Sequence, residues 1–301
     1  MQENQKLCIT FNEYATLTKK MFNNCINLTD VDLGSMQLSN NLSCYDMFVN
    51  CRNLSTVNFD KVNGMSGING YHMFLSCYNL NNVNLFNFNF IDMYETFAYC
   101  KNLSTVTIYN TITDINMRGT FVQCTNLNDI TILSNCNSIN AMNLCSYCKS
   151  LTTINIPENI IITDAYRMFE HCESLTTLPI LNIHTNSLEA TFGDCYNLIS
   201  VTNVSLKSEK TCWAAFIRCN NLIDVPQMDL KNCTNIDAMF TQCNKLSDIS
   251  IQNIINSILP INTANLVHSA NLYNSIFKQT NIVNTRYQNR WDELTAAGWT
   301  F

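Results

Sequence analysis

Apolar positions return along this chain at fixed intervals. Met47, Phe48, Cys51, Leu54, Val57 and Phe59 mark one copy of a line. Met21, Phe22, Cys25, Leu28, Val31 and Leu33 mark the copy before it, and Met73, Phe74, Cys77, Leu80, Val83 and Leu85 the copy after. In general form the line reads [MTA]-F-x-x-C-x-x-L-x-x-[VI]-x-[LIF]. Its cysteine recurs as Cys25, Cys51, Cys77, Cys100, Cys124, Cys148, Cys172, Cys195, Cys219 and Cys243, at intervals of 23–26 residues. A fixed period of that length is the signature of a solenoid.

Each copy contains two periods. A small or apolar residue (Cys44, Met93, Met117, Ala141, Ala165, Leu188, Cys212 or Ile236) stands four before the phenylalanine slot, and the cysteine stands three after it. That stripe predicts a helix of two to three turns. After the leucine the spacing falls to two, as in Val57-x-Phe59 or Ile130-x-Ile132, which predicts a short strand with alternate residues inward. Neither piece is stable alone, but similar neighbours bury both and pair the strands into one long parallel sheet. The expected architecture is an α/β solenoid over residues 16–252, with about ten coils of 23–26 residues, each a short helix plus a short parallel strand. Residues 1–15 read as an N-terminal cap, with Ile9, Phe11 and Tyr14 over the open end. Residues 253–301 read as a partial repeat followed by a helical cap or docking tail, in which Tyr287, Trp291 and Leu294 share a face and Gly298 is the stop.

The run Met-Phe-x-x-Cys-x-x-Leu-x-x-Val-x-Leu resembles the leucine-rich repeats of the BspA-like bacterial surface-antigen family, over roughly residues 15–252. The resemblance implies a right-handed coil with a strand face and a helix face. It also implies an adhesive or recognition role without fixing a ligand.

Composition narrows the partners. Charged residues make up 13% of the chain, and asparagine, serine and threonine fill the surface instead. The net charge of −6 is spread without runs, so no basic patch is expected to hold a nucleic-acid backbone. No apolar run approaches the roughly 20 residues that span a bilayer, so no membrane insertion is expected. The first twenty residues lack the apolar core of a signal peptide.

Of sixteen cysteines, the ten of the repeat fall on the buried stripe and read as a ladder of reduced thiols. Neighbouring copies about 4.8 Å apart hold their Cβ vectors parallel, whereas a disulfide wants Cβ atoms inclined together at about 3.8 Å. That many free thiols points to folding in a reducing cytoplasm.

Local matches to chemical motifs fit the repeat better than they fit chemistry. Gly64, Gly67 and Gly70 lie between copies and read as a turn, because a phosphate loop needs a lysine at another spacing. Cys145 and Cys148 form C-x-x-C only because Cys145 fills a phenylalanine slot. His72, His171, His184 and His268 read as non-equivalent positions with no repeated carboxylate beside them. No metal, cofactor or enzymatic activity is expected.

Binding falls to the outward strand positions. These are Asp30 and Asp32, Thr56 and Asn58, Asn82 and Asn84, Thr105 and Thr107, Asp129 and Thr131, Thr153 and Asn155, and Asp248 and Ser250. They make a polar row suited to glycan hydroxyls or an extended peptide, without the large aromatic anchors of many interfaces. Aromatic residues collect elsewhere, in Phe86, Phe88 and Phe90 and in Tyr78, Tyr99, Tyr147 and Tyr196 beside the ladder cysteines. The Phe run fits either an inward loop or an exposed docking edge.

Two functions fit. One is a non-enzymatic recognition or adhesion module that binds protein or glycan on a surface, with a phage tail or appendage as a virion setting. The other is a purely architectural or intracellular scaffold held by neighbouring subunits.

Overall fold

The computed structural model describes residues 6–8, 18–33, 43–59, 65–86, 88–110, 114–267, 276–277 and 290–300. They fall in two compact units, Met1–Ile160 and Ile161–Phe301. Ile9, Phe11, Tyr14, Tyr287 and His268 lie outside the described residues.

In the first unit the strand after the leucine forms as its alternation predicts, as β2 (Asp30–Asp32), β3 (Thr56–Asn58), β5 (Asn82–Val83), β7 (Thr105–Asn110), β9 (Asp129–Ser134) and β11 (Thr153–Asn155). Before the first repeat line, β1 (Lys6–Cys8) adds a strand within the predicted N-terminal cap. They pair in parallel as two sheets, β1-β2-β3-β5 and β7-β9-β11, where the sequence predicts one. Val31, Val57 and Val83 come into register in one sheet, and Val106, Ile130 and Ile154 in the other, each buried.

Seven coils also carry a second strand that the sequence reading lacks. It appears as β4 (Met65–Asn69), β6 (Phe88–Asp92), β8 (Asp114–Asn116) and β10 (Ser138–Asn140) in the first unit. In the second unit it appears as β12 (Ile161–Asp164), β13 (Leu181–Ser187) and β14 (Val204–Thr211). These strands mark about seven turns of the solenoid, fewer than the ten coils counted from the cysteine register. The last copy shows why: around Asp229 and Asn235 only isolated bridges remain, so the register continues while the strand does not. Phe88 and Phe90 are inward residues of β6, whereas Phe86 is 61% exposed. Gly67 lies in β4 at a shift of register, and a Cβ at Gly70 would come within 2.7 Å of the Phe90 ring.

The predicted helix of each coil is a pair of tight turns. Met47 N–H donates to Cys44 O at 3.1 Å and Cys51 N–H to Phe48 O at 3.1 Å, each closing a four-residue turn. Asp46 and Asn50 have φ of 54° and 59°. A left-handed residue every fourth position breaks an α-helix but suits the third position of a type II turn. The freed donors point along the stack, with Asp46 N–H to Tyr71 O at 3.0 Å, Phe48 N–H to Met73 O at 2.8 Å and Asn50 N–H to Leu75 O at 2.9 Å. Backbone groups that a helix would satisfy internally are thus satisfied by the next coil.

The entrance to each turn pair is fixed by a polar residue with its side chain folded back. Asn69 Oδ1 accepts from Tyr71 N–H at 3.0 Å and Asp92 Oδ1 from Tyr94 N–H at 2.9 Å. Asn116, Asn140, Asp164, Ser187, Thr211 and Asn235 make the same contact. These are Asx- and ST-turns, and they use part of the chain's asparagine content.

Most of the left-handed slots hold side chains for which that region is unfavourable. Gln123 sits at φ 63°. Gln123→Gly is expected to raise stability by about 0.5–1 kcal/mol, since the left-handed penalty exceeds glycine's entropic cost. Gln123→Val is expected to lower it, and urea titration of both variants checks the sign.

Two columns fill the interior of the turns. Phe22, Phe48, Phe74, Phe97 and Phe121 stack ring on ring in the first unit, with centroids 5.0–5.7 Å apart. Phe169, Phe192, Phe216, Phe240 and Phe277 do so in the second, at 5.0–6.1 Å. Beside them run the cysteines, none of the fifteen described being in a disulfide. Eight of the ladder thiols reach the phenylalanine carbonyl of the coil behind, for example Cys77 Sγ to Phe48 O at 3.0 Å and Cys124 Sγ to Phe97 O at 3.0 Å. Cys51, Cys100, Cys148, Cys195, Cys219 and Cys243 repeat the contact.

That carbonyl already accepts the cysteine N–H of its own coil, so the thiol takes its second lone pair. The cysteine is therefore a donor between coils as well as an apolar filler. Cys25 departs from the expected buried column: it is exposed. Cys124→Ala is expected to cost about 1–2 kcal/mol through a small cavity and the lost hydrogen bond. Cys124→Ser, which keeps a donor, is expected to cost less, as read from thermal unfolding.

The described helices lie at the C-terminal end. Helix α1 (Asp248–Ile258) starts at Ser247, whose side chain accepts from Ser250 N–H, with Asp248 in its first turn. It begins within the predicted repeat, so Asp248 and Ser250 are helical, and Ser250 is buried rather than on a strand face. Helix α2 (Trp291–Ala296) ends at Gly298, φ 87°, with Trp299 N–H to Leu294 O and Gly298 N–H to Thr295 O both at 2.9 Å. This is a Schellman stop, with Leu294 and Trp299 both buried.

Candidate functional site

The strand face of the first unit gathers the predicted binding positions into rows. Asp30, Thr56 and Asn82 are partners across β2, β3 and β5, and Asp32 is opposite Asn58. Thr105, Asp129 and Thr153 form the corresponding row of the second sheet, with Thr107, Thr131 and Asn155 beside them. All twelve outward residues, Asn84 included, are half-buried or exposed above buried Val and Ile. Strand pairing sets neighbouring members of a row about 4.8 Å apart.

Some of the polar groups hold one another. Thr56 Oγ1 donates to Asp30 Oδ1 at 2.7 Å, Ser55 Oγ to the same oxygen at 3.2 Å, and Asn155 Nδ2 to Thr131 Oγ1 at 3.3 Å. Such bonds fix side chains whose remaining lone pairs and protons face outward. Between β3 and β5 the face dips into a shallow groove of about 190 Å³ lined by Thr56, Val57, Asn58, Asn82, Val83 and Asn84. The two valines give it an apolar floor under a polar rim.

A second concavity is absent from the sequence reading. In the second unit a cleft of about 390 Å³ opens between residues 227–231 and α1, lined among others by Gln227, Asp229, Lys231, Asn256 and Pro260. It depends on where α1 packs, which no local motif encodes.

Histidines and acids meet more often than the sequence predicts. His72 lies between acids of the adjacent coils, with Nδ1 3.3 Å from Asp46 and Nε2 3.3 Å from Glu95. The His72 contact, against the opposing effect of burial, holds the Glu95 carboxyl below its ordinary range. His171 is 3.6 Å from Asp194 and His184 3.7 Å from Glu209. The spacings are one coil in sequence, which is why local reading misses them.

Asp194 also accepts from Arg218 Nη2 at 2.7 Å and Tyr196 OH at 2.8 Å. Burial pushes its carboxyl up, but these donors outweigh burial and hold it below the usual range. The His and Arg contacts are pairs between coils, whereas Tyr196 OH bonds Asp194 within one coil.

The ladder thiols are poor ligands and nucleophiles as they stand. Burial pushes Cys51 up to about 12 and Cys77, Cys100 and Cys124 well above the ordinary thiol range. Cys145 and Cys148 are fully buried, with Cys148 Sγ bound to Phe121 O at 3.0 Å. Cys212 and Cys233 stand off the ladder with sulfurs 3.4 Å apart. Among the described residues no group of three or more His, Cys, Asp and Glu side chains is placed to hold a metal ion. No described helix is long and apolar enough to cross a membrane.

The sequence model of the BspA type leucine-rich repeat region matches residues 5–117, 44–166, 91–223, 141–260 and 168–295, with six copies. The chain belongs to this family. BspA-type repeats account for the strand-and-turn coil, and leucine-rich-repeat proteins typically mediate protein binding or adhesion. No curated protein matches the chain. Among solved structures, a leucine-rich repeat protein from Bacteroides ovatus is 19% identical with a TM-score of 0.42, over 82% of this chain and 74% of that one. One from Eubacterium ventriosum is 15% identical with a TM-score of 0.31, over 80% and 85%. An internalin from Listeria monocytogenes is 15% identical with a TM-score of 0.36, over 80% and 68%.

Proposed function

We propose that the protein is a non-enzymatic recognition or adhesion module that binds a protein or glycan through the strand face of its first unit. The observation that carries this reading is the pair of polar rows over a buried aliphatic layer, dipping into the groove at Thr56, Asn58, Asn82 and Asn84. Fixed amides and hydroxyls at a regular spacing match a ligand that repeats its own hydroxyls or amides along an extended axis. A place in a phage tail or appendage is the finer form of this reading. It draws support from the many thiols, which suit a chain folded in a reducing cytoplasm.

A glycan array combined with whole-cell binding tests the proposal. Binding that is lost when Asn58→Arg and Asn84→Arg fill the groove supports it. The alternative is an architectural protein or intracellular scaffold whose faces are covered by neighbours. A protein inert in both assays yet present in purified particles favours that alternative.

A further inference from the structure

A second surface lies on the turns of the first unit that precede its strands. Arg52, Tyr78 and Lys101 each follow a ladder cysteine, so they occupy one slot in three successive coils. The Tyr78 ring has the Arg52 guanidinium 5.5 Å from its centroid and the Lys101 ammonium 5.3 Å from it. Both cations are exposed, and among the described residues neither has an ion-pair partner. Tyr99, in the turn before that of Lys101, is 41% exposed.

A row of exposed amides runs beside the cations. Asn79 Nδ2 donates to Asn53 Oδ1 at 3.4 Å and Asn102 Nδ2 to Asn79 Oδ1 at 3.3 Å. Asn79 uses one proton and one lone pair within the row, Asn53 only a lone pair and Asn102 only a proton, so each keeps others for a ligand.

The edge stands out by its charge. In a chain of net charge −6, segments 22–28, 48–54, 74–80, 97–103, 121–127 and 145–151 contain no Asp or Glu. The equivalent segments of the second unit carry Glu170, Glu173 and Asp194. Residues brought together here are one coil apart in sequence, which hides the cluster from a search for charge runs.

We propose that this edge binds an acidic polysaccharide with a carboxylate on every second sugar. The cations stand two coils apart, about 10 Å at the strand-pairing distance. Two equatorially linked pyranoses cover a comparable length, and the amide row between the cations meets the hydroxyls of the neutral sugar. An extended acidic peptide fits less well, because charges on one of its faces repeat at about 6.7 Å. The tyrosine adds polarisable area and holds both cations in place. This inference does not depend on the strand-face reading.

Calorimetric titration of the full chain with hyaluronan oligosaccharides, dextran and polyglutamate provides the test. Hyaluronan is expected to bind, more weakly as salt is added, and dextran not to bind. The double variant Arg52→Ala with Lys101→Ala is expected to lose at least about tenfold in affinity with its thermal unfolding unchanged. Asn58→Arg on the strand face is expected to leave hyaluronan binding intact, which separates the two surfaces. Absence of hyaluronan binding, equal binding of dextran, tighter binding of polyglutamate, or full affinity in the folded double variant would each overturn the proposal.

Discussion

Phe97→Ala is expected to destabilise the first unit by about 3–5 kcal/mol, the range for emptying a fully buried aromatic site. Phe97 has no solvent exposure and stacks between Phe74 at 5.3 Å and Phe121 at 5.7 Å, its plane within 8° of each. Its neighbours above and below are fixed by backbone hydrogen bonds, such as Phe97 N–H to Thr120 O at 2.9 Å. The column therefore cannot collapse into the space, and the cavity term is felt in full. Truncation leaves the backbone carbonyl that receives the Cys124 thiol, so the effect isolates the ring. Urea unfolding, followed by a probe in the first unit, should show the shift in midpoint. A loss under about 1 kcal/mol would mean that the rings do not form a packed column.

Trp299→Ala is the corresponding test of the C-terminal end, also expected to cost about 3–5 kcal/mol, in the second unit. Trp299 is 1% exposed and follows the Gly298 stop of α2. The segment is tied to α1 by Arg290, whose Nη1 donates to Gln252 Oε1 at 3.1 Å and Asn256 Oδ1 at 3.0 Å. Thr263 Oγ1 donates to Ala297 O at 3.1 Å, which fixes the chain just before the stop. A segment held in this way on its own unit is expected to act as a cap over apolar surface of the last coil. Ending the chain near Asn284 should then abolish cooperative unfolding of the second unit. Loss of assembly with unfolding unchanged would instead assign the segment to docking.

Much of the fold is legible because stacking forces the same residue types into the same slots. The cysteine interval sets the coil length, and the Val57-x-Phe59 alternation gives the strand and its outward face. The helix is the instructive difference. Cys44, Phe48 and Cys51 have helical spacing, yet two consecutive four-residue turns also place those positions on one side. Residue type separates the two only in places. Asn24, Asp46, Asn50, His72, Gly119 and Asn143 fall at left-handed slots and tolerate that region better than most. Glu95, Gln123, Ala214, Arg218 and others fill the remaining slots without any such signal, so the spacing fits a helix and tandem turns alike.

The second strand is hidden for another reason. Its copies vary from Asp114–Asn116 to the longer Val204–Thr211, so no common spacing exposes them. The binding rows can be derived from strand parity alone. The Arg52–Tyr78–Lys101 cluster and the cleft beside α1 require the three-dimensional placement of coils that are distant in sequence.

Buried thiols that donate to the carbonyls of the coil behind join successive coils. Raman spectroscopy of the native protein reads this directly, because the S–H stretch reports thiol hydrogen bonding and the S–S stretch reports disulfides. A dominant S–H band displaced to the frequency of bonded thiols, with no S–S intensity, is the predicted result. An S–S band, or an S–H band at the frequency of thiols without an acceptor, would contradict it.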